Sequence, residues 1–178
     1  MKRKGNLYNS ICSLENLHLA DHLASKGKSG QFGVRDHIKN REANILKLHG
    51  MLSNKTFKTS DYKTFIIFEP KRREIFRLPY FPDRIVHHAI MNVLEPIWVS
   101  IFTTDSYSCI KGRGVHSAGR KLKEALKNEP STRYCLKLDV QKFYPNVDHD
   151  VLKEIVRKKI KDRDVLVLLD SIIDSAEG

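Results

Sequence analysis

Cysteine is scarce and badly placed for crosslinking. The three residues, Cys12, Cys109 and Cys135, are odd in number, far apart and without a CxxC pair. That excludes a disulfide framework and a zinc knuckle, and leaves them as small buried hydrophobes. No stretch approaches the ~18 apolar residues of a bilayer-spanning helix. The basic opening "MKRKGNLYNSICSLE" also lacks the apolar run of a signal peptide. The chain therefore reads as cytoplasmic, with no membrane partner. Internal repeats and low-complexity tracts are missing as well.

Several ligand motifs fail on spacing. "GKS" at Gly27–Ser29 ends like a phosphate-binding loop, but the glycine required five residues earlier is His22. Asn146, Asp148 and Asp150 space like the start of a calcium loop, yet Val151 stands where glycine is needed and Arg157 where the twelfth-position glutamate belongs. His18 and His22 share a helix face without the glutamate of a zinc protease and read as a solvated pair. His87 and His88 lie in an apolar helix, one packed and one capped or exposed.

What the chain has is positive charge and enough apolar residues for a core. Its 178 residues carry 32 Lys plus Arg against 21 Asp plus Glu, a net charge of +11, with 40% apolar content including 8 Phe, 6 Tyr and 1 Trp. Such an excess favours polyanionic partners through counterion release, nucleic acid first and an anionic membrane surface second. The membrane reading lacks a helix with lysines opposite bulky apolar residues.

Patterning predicts alternating elements. Ser13 caps a helix with Leu14, Leu17, Ala20 and Leu23 at helical spacing until Gly27. A second helix, Val34 to Leu52, has the stripe Val34, Ile38, Ile45, Leu48 and Leu52. "YKTFIIFE" and "REIFRLPY", joined by the basic turn "PKR", read as a hairpin with cations at its tip. Pro82 and Asp83 open a core helix through Ile85, Val86, Ala89, Ile90, Val93 and Leu94, which Pro96 should break or kink. A polar loop to Gly114 precedes a helix through Ala118, Leu122, Ala125 and Leu126, fading at "KNEPST", the predicted lobe boundary. A strand ending at Asp139, a turn and two further helices, about 148–160 and 164–175, complete an α+β chain.

In "YCLKLDVQKFYPNVDHDVL" an apolar strand ends on an aspartate. A charge there is costly to bury unless paired. At the carboxyl end of a central strand it projects into a ligand crevice, where a divalent cation is its natural partner. A cap or turn residue is the bland alternative. Asp148 and Asp150, at the start of a helix, read as capping residues. Asp83 favours the dipole of its helix, and Arg84 can tie that turn to a neighbour.

The stretch "LKLDVQKFYPNVDHDVL" resembles the first catalytic motif of reverse transcriptases. "KRREIFRLPYFPDRIVHHAIMNVLEPIW" resembles the fingers block of bacterial retroelement polymerases, and "FTTDSYSCIKGRGVHSAGRKL" the block that follows. The three occur in the family's order over roughly residues 65–152, and "DRIVHHAI" with "DSYSCIKGRGVHSA" resembles the reverse transcriptases of diversity-generating retroelements and their prophage relatives. The resemblance implies right-hand polymerase fingers over 1–130 and the first part of a palm over 131–178. It implies an RNA-directed DNA polymerase with two magnesium ions, an RNA template, a DNA or RNA primer and deoxynucleoside triphosphates.

By the same resemblance Asp139 binds both ions, the Val140 carbonyl assists with one, and Lys142 and Phe143 offer backbone N–H groups to the triphosphate. Tyr144 excludes a ribose 2′-hydroxyl. Lys71 and Arg73 close over the triphosphate or pair with the template, with Arg72 as the alternative. Lys111, Arg113 and His116 lie along the template backbone. One departure matters: the family's second carboxylate pair, an aromatic-x-Asp-Asp, is missing, and no Asp-Asp dipeptide occurs anywhere. A single aspartate cannot hold two magnesium ions for phosphoryl transfer. The chain reads as an incomplete polymerase, inactive by itself. The alternative is a non-catalytic basic RNA-binding module.

Overall fold

The computed structural model describes residues 3–176 and is α+β, with helices and, among the described residues, one two-stranded antiparallel sheet. Helices α1 (Tyr8–Cys12), α2 (Leu14–Ser25), α3 (Phe32–Lys39) and α4 (Arg41–Ser53) precede strands β1 (Lys63–Phe68) and β2 (Arg72–Arg77). Then come α5 (Ile85–Val99), α6 (Val115–Leu126), α7 (His149–Arg157) and α8 (Arg163–Ile173). The chain divides into two compact units, one formed by residues up to Leu94 together with those from Val147 on, the other by Glu95–Asn146. Among the described residues no helix is long and apolar enough to cross a membrane.

The first unit holds the core. Ser13 caps α2 by accepting from the Asn16 N–H, as its position predicts. The face that α2 buries is Leu17, Ala20, Asp21 and Ala24, while Leu14 and Leu23 stay partly exposed. The helix is thus rotated from the expected stripe so that an aspartate faces inward. The expected single helix from Val34 to Leu52 is two, because Asn40 leaves helical geometry (φ −131°, ψ 36°). That break turns His37 inward beside Val34 and leaves Ile38 exposed, while α4 keeps Ile45, Leu48 and Leu52 buried.

α5 is the core helix expected, with Ile85, Val86, Ala89, Ile90 and Leu94 buried. Pro96 does not break it. The helix runs on to Val99, and beyond it the Ser100 N–H donates to the Pro96 carbonyl. Only the ring's own hydrogen bond is forfeited, near the helix end where few turns remain to be disturbed. Asp83 is fully buried and accepts from the Ser60 N–H at 3.0 Å, a tether to the hairpin's approach more than a dipole partner.

Asp162 joins the beginning and end of this unit. Its Oδ1 accepts from the N–H groups of Asp164 and Val165, capping α8, and its Oδ2 accepts from Leu7 (2.6 Å) and Tyr8 (3.1 Å) at the start of α1. Partial burial pushes this carboxyl up, and the backbone N–H groups of Leu7, Tyr8, Val165 and Asp164 more than reverse that, holding it below its ordinary value. Asp162→Ala strips the cap from two helices at once. The expected loss is about 2 kcal/mol of unfolding free energy, measured by urea denaturation; a loss under a few tenths would show that water replaces the carboxylate.

The second unit is thinly packed. Within Glu95–Asn146, Ile110 is the one buried residue, and α6 exposes Val115, Leu122 and Leu126. The expected strand ending at Asp139 is instead a segment without regular secondary structure, unpaired among the described residues, whose alternating Tyr134, Leu136, Leu138 and Val140 are all exposed. The period-two pattern of a strand is present, and the ladder partner that would make it one is not among the described residues. The cysteines also depart from expectation: Cys12 is buried, with burial raising its thiol, but Cys109 and Cys135 are exposed.

Candidate nucleic-acid interface

The hairpin is built as the alternation of "TFIIF" and "REIFR" requires. Its register pairs Phe65 with Ile75, Ile67 with Arg73 and Phe68 with Arg72. Partners in an antiparallel pair share a face and neighbours alternate. Arg73 therefore shares a face with Phe65, Ile67 and Ile75, and Arg72 shares the other with Ile66, Phe68 and Phe76. Lys71 lies in the connecting turn. All three cations are exposed, and among the described residues none is paired with a carboxylate. Each guanidinium thus stands beside exposed apolar or aromatic surface (Phe65, Ile66, Phe68 and Phe76 are all exposed), a combination suited to a phosphate backbone with bases stacked against rings.

The hairpin's root is held on both its entry and exit sides. Ser60 is tied to Asp83 at 3.0 Å, the Tyr62 hydroxyl meets Ser175 Oγ at 3.1 Å, and the Tyr62 ring packs edge-on against Phe76. On the exit side, the Tyr80 hydroxyl donates to Asp21 Oδ1 at 2.5 Å. Asp21 is almost fully buried; its Oδ2 accepts from Arg41 Nε at 2.5 Å, and His37 Nε2 lies 3.2 Å from its Oδ1. Burial pushes the Asp21 carboxyl up, but hydrogen bonds from His37 and Tyr80, the His37 charge and the Arg41 hydrogen bond pull it down to about 2. This anchor was invisible to the apolar-stripe reading, because each of its members sits on a different element.

In the second unit, the loop before α6 turns at Cys109 (φ 56°) and Gly112 (φ 78°), where Ile110 and Arg113 form an isolated bridge. Only glycine takes the second of these at no steric cost. Arg113 is half-buried and donates from Nη1 to the Thr103 carbonyl at 3.0 Å, so part of its guanidinium holds the loop together. Lys111 and His116 are exposed.

Asp139 and Val140 are exposed on the irregular segment after α6. The turn that follows carries Lys142 at φ 49°, and Asn146 closes it, its side chain donating to the Gln141 and Lys142 carbonyls. Phe143 and Tyr144 meet edge-to-face at 5.4 Å, and Tyr144 is 87% exposed. Asp148 caps α7 by accepting from the Val151 N–H at 3.0 Å, as expected, and Asp150 pairs with Lys153.

The Asp139 carboxylate and Val140 carbonyl are hard oxygen donors, which suits one corner of a magnesium site. Among the described residues no three His, Cys, Asp or Glu side chains gather to complete such a site.

No protein-family model matches the chain. It is 36% identical over 94 residues to Protein YkfC of Escherichia coli (strain K12), covering 52% of this chain and 25% of that protein. Nuclear intron maturase 1, mitochondrial, of Arabidopsis thaliana is 33% identical over 93 residues, 52% of this chain and 13% of the maturase. Group II intron-encoded protein LtrA of Lactococcus lactis subsp. cremoris is 24% identical over 123 residues, 68% of this chain and 20% of LtrA. The matches thus span a quarter or less of these relatives. They support a reverse-transcriptase-like family for the chain.

Proposed function

We propose that this chain is the fingers (1–130) and the opening of the palm (131–178) of an RNA-directed DNA polymerase, binding an RNA template with a DNA or RNA primer and a deoxynucleoside triphosphate. The observation that carries the reading is the hairpin: a rigidly rooted ribbon presenting Lys71, Arg72 and Arg73 unpaired beside exposed aromatics. The intron-related sequences add support from a separate direction. By the wording of "DRIVHHAI" and "DSYSCIKGRGVHSA" we place the parent nearer the diversity-generating retroelement enzymes than the intron enzymes.

In this reading Lys71 and Arg73 clamp the triphosphate or the template, Lys111, Arg113 and His116 follow the template backbone, and the Lys142 and Phe143 N–H groups face the triphosphate. Tyr144 is the steric gate against ribose. Magnesium, when bound, supplies charge neutralisation at the transferring phosphate. Asp139 and the Val140 carbonyl are what this chain offers it, and only the binding steps are assigned to the chain itself.

The test is RNA affinity. Replacing Lys71, Arg72 and Arg73 together by Gln is expected to weaken binding of a labelled RNA roughly tenfold near 0.1 M salt and to flatten the log–log salt dependence by about 2. Fluorescence anisotropy across a salt series reads both. An unchanged affinity and slope would remove the hairpin from the interface.

A further inference from the structure

The cations of the hairpin are not the only ones left unpaired in the first unit. Along α7 and α8 the positive charges separate into two groups. Lys153 pairs with Asp150 and Asp174, and Arg157 forms a bidentate pair with Asp170, so both cations of α7 have their charges matched. Past the end of α7 the sequence "KKIKDR" reverses this. Lys158, Lys161 and Arg163 are exposed, and among the described residues none of them meets a carboxylate.

The two aspartates within and beside this run are already engaged. Asp162 is occupied by four backbone N–H groups, and Asp164 by Lys55 Nζ at 2.7 Å. The N-terminal segment then brings two more cations to the same place. Lys4 donates to the Lys159 carbonyl and accepts from the Lys161 N–H, each at 2.7 Å, in a parallel bridge opposite the buried Ile160. Arg3 precedes it, exposed. A methyl group on Gly5 would come within 3.0 Å of Lys161 Cε, so the stem of Lys161 lies across Gly5, and Lys161 and Arg163 help line a cavity of about 370 Å³.

We infer that Arg3, Lys4, Lys158, Lys161 and Arg163 form a second nucleic-acid surface, separate from the hairpin, that takes the phosphodiester backbone of RNA without reading its bases. A polyanion is the partner that five exposed cations, none of them ion-paired among the described residues and gathered by the Lys4–Ile160 bridge, would recognise, since each phosphate neutralised releases a counterion. A membrane surface would need exposed bulky apolar residues among the cations, and Arg3, Lys4, Lys158, Lys161 and Arg163 have none between them except buried Ile160. The inference does not depend on the chain being a polymerase, only on its meeting RNA.

The experiment uses the whole chain and a fluorescently labelled RNA stem-loop of arbitrary sequence, with anisotropy recorded across a sodium chloride series. The variant Lys158→Gln/Lys161→Gln/Arg163→Gln is expected to weaken binding about tenfold and to lower the log–log salt slope by about 2 to 3, near 0.7 to 0.9 per cation. Lys158→Gln alone, at the exposed end of α7, reads the same effect at about a third of the size should the triple variant unfold. An unchanged slope in these variants, with a reduced slope in the hairpin variant, overturns this surface and leaves the proposed function standing. A reduced slope here with none at the hairpin does the reverse.

Discussion

Asp21→Ala is expected to cost about 3 to 5 kcal/mol of unfolding free energy, a large part of what a domain of this kind possesses. The carboxylate is buried and serves three partners on three other elements, Tyr80, His37 and Arg41. Truncation leaves the His37 ring and the Arg41 guanidinium without the carboxylate and the Tyr80 hydroxyl with only the Asp21 backbone carbonyl at 3.0 Å, and a buried polar group left unpaired costs far more than the bond itself contributes. Asp21→Asn keeps an acceptor for Tyr80 and should cost less. The same site predicts a pH dependence. The folded carboxyl sits near 2 against an ordinary value of 3.8. Its contribution, on the order of 2 kcal/mol, is therefore complete above about pH 4 and lost as pH falls towards 2. Urea denaturation at a series of acid pH values should show that loss in the wild type and its disappearance in Asp21→Asn. Identical acid profiles for the two would contradict the assignment.

Because Tyr80 leaves the hairpin directly into this anchor, the same substitution should also loosen the basic ribbon. A fall in RNA affinity in Asp21→Asn at a temperature where the variant remains folded is the expected companion effect.

The elements were legible wherever local pattern sufficed. Ser13 as a cap, the hairpin over residues 63–77, the apolar face of α5 and the Asp148 cap of α7 all follow from short-range rules of side-chain spacing and hydrogen bonding. What was not legible depended on partners distant in sequence. α2 turns Asp21 inward because Tyr80, His37 and Arg41 wait for it, and an apolar count marks Asp21 as surface. The break at Asn40 places His37 where Ile38 was expected. Likewise, alternation announced a strand at 134–139, but a strand exists only with a neighbour, and among the described residues it has none.

The candidate site divides in the same way. The cationic tip of the hairpin was readable from "PKRR", whereas the rooting of that hairpin through Ser60, Tyr62 and Tyr80 was not, since its partners Asp83, Ser175 and Asp21 lie far away in the chain. The tie from Arg113 to the Thr103 carbonyl falls in the same class, and it reduces what Arg113 has left to offer a phosphate.

The prediction with the largest functional effect concerns Asp139. Asparagine matches its shape and removes its charge, so Asp139→Asn takes away a charged oxygen donor and little volume. Exposed and outside the cationic surfaces, Asp139 makes no attractive contribution to phosphate binding, and RNA affinity should stay within about twofold. The decisive measurement is primer extension on an RNA template in magnesium by this chain joined to a palm segment that carries an aromatic-x-Asp-Asp hairpin. The account predicts DNA product from the joined protein and none above background from its Asp139→Asn variant, with RNA binding retained in both. Undiminished synthesis by the variant would contradict it. RNA binding without synthesis by either protein would contradict it too, and would make the chain an RNA-binding module.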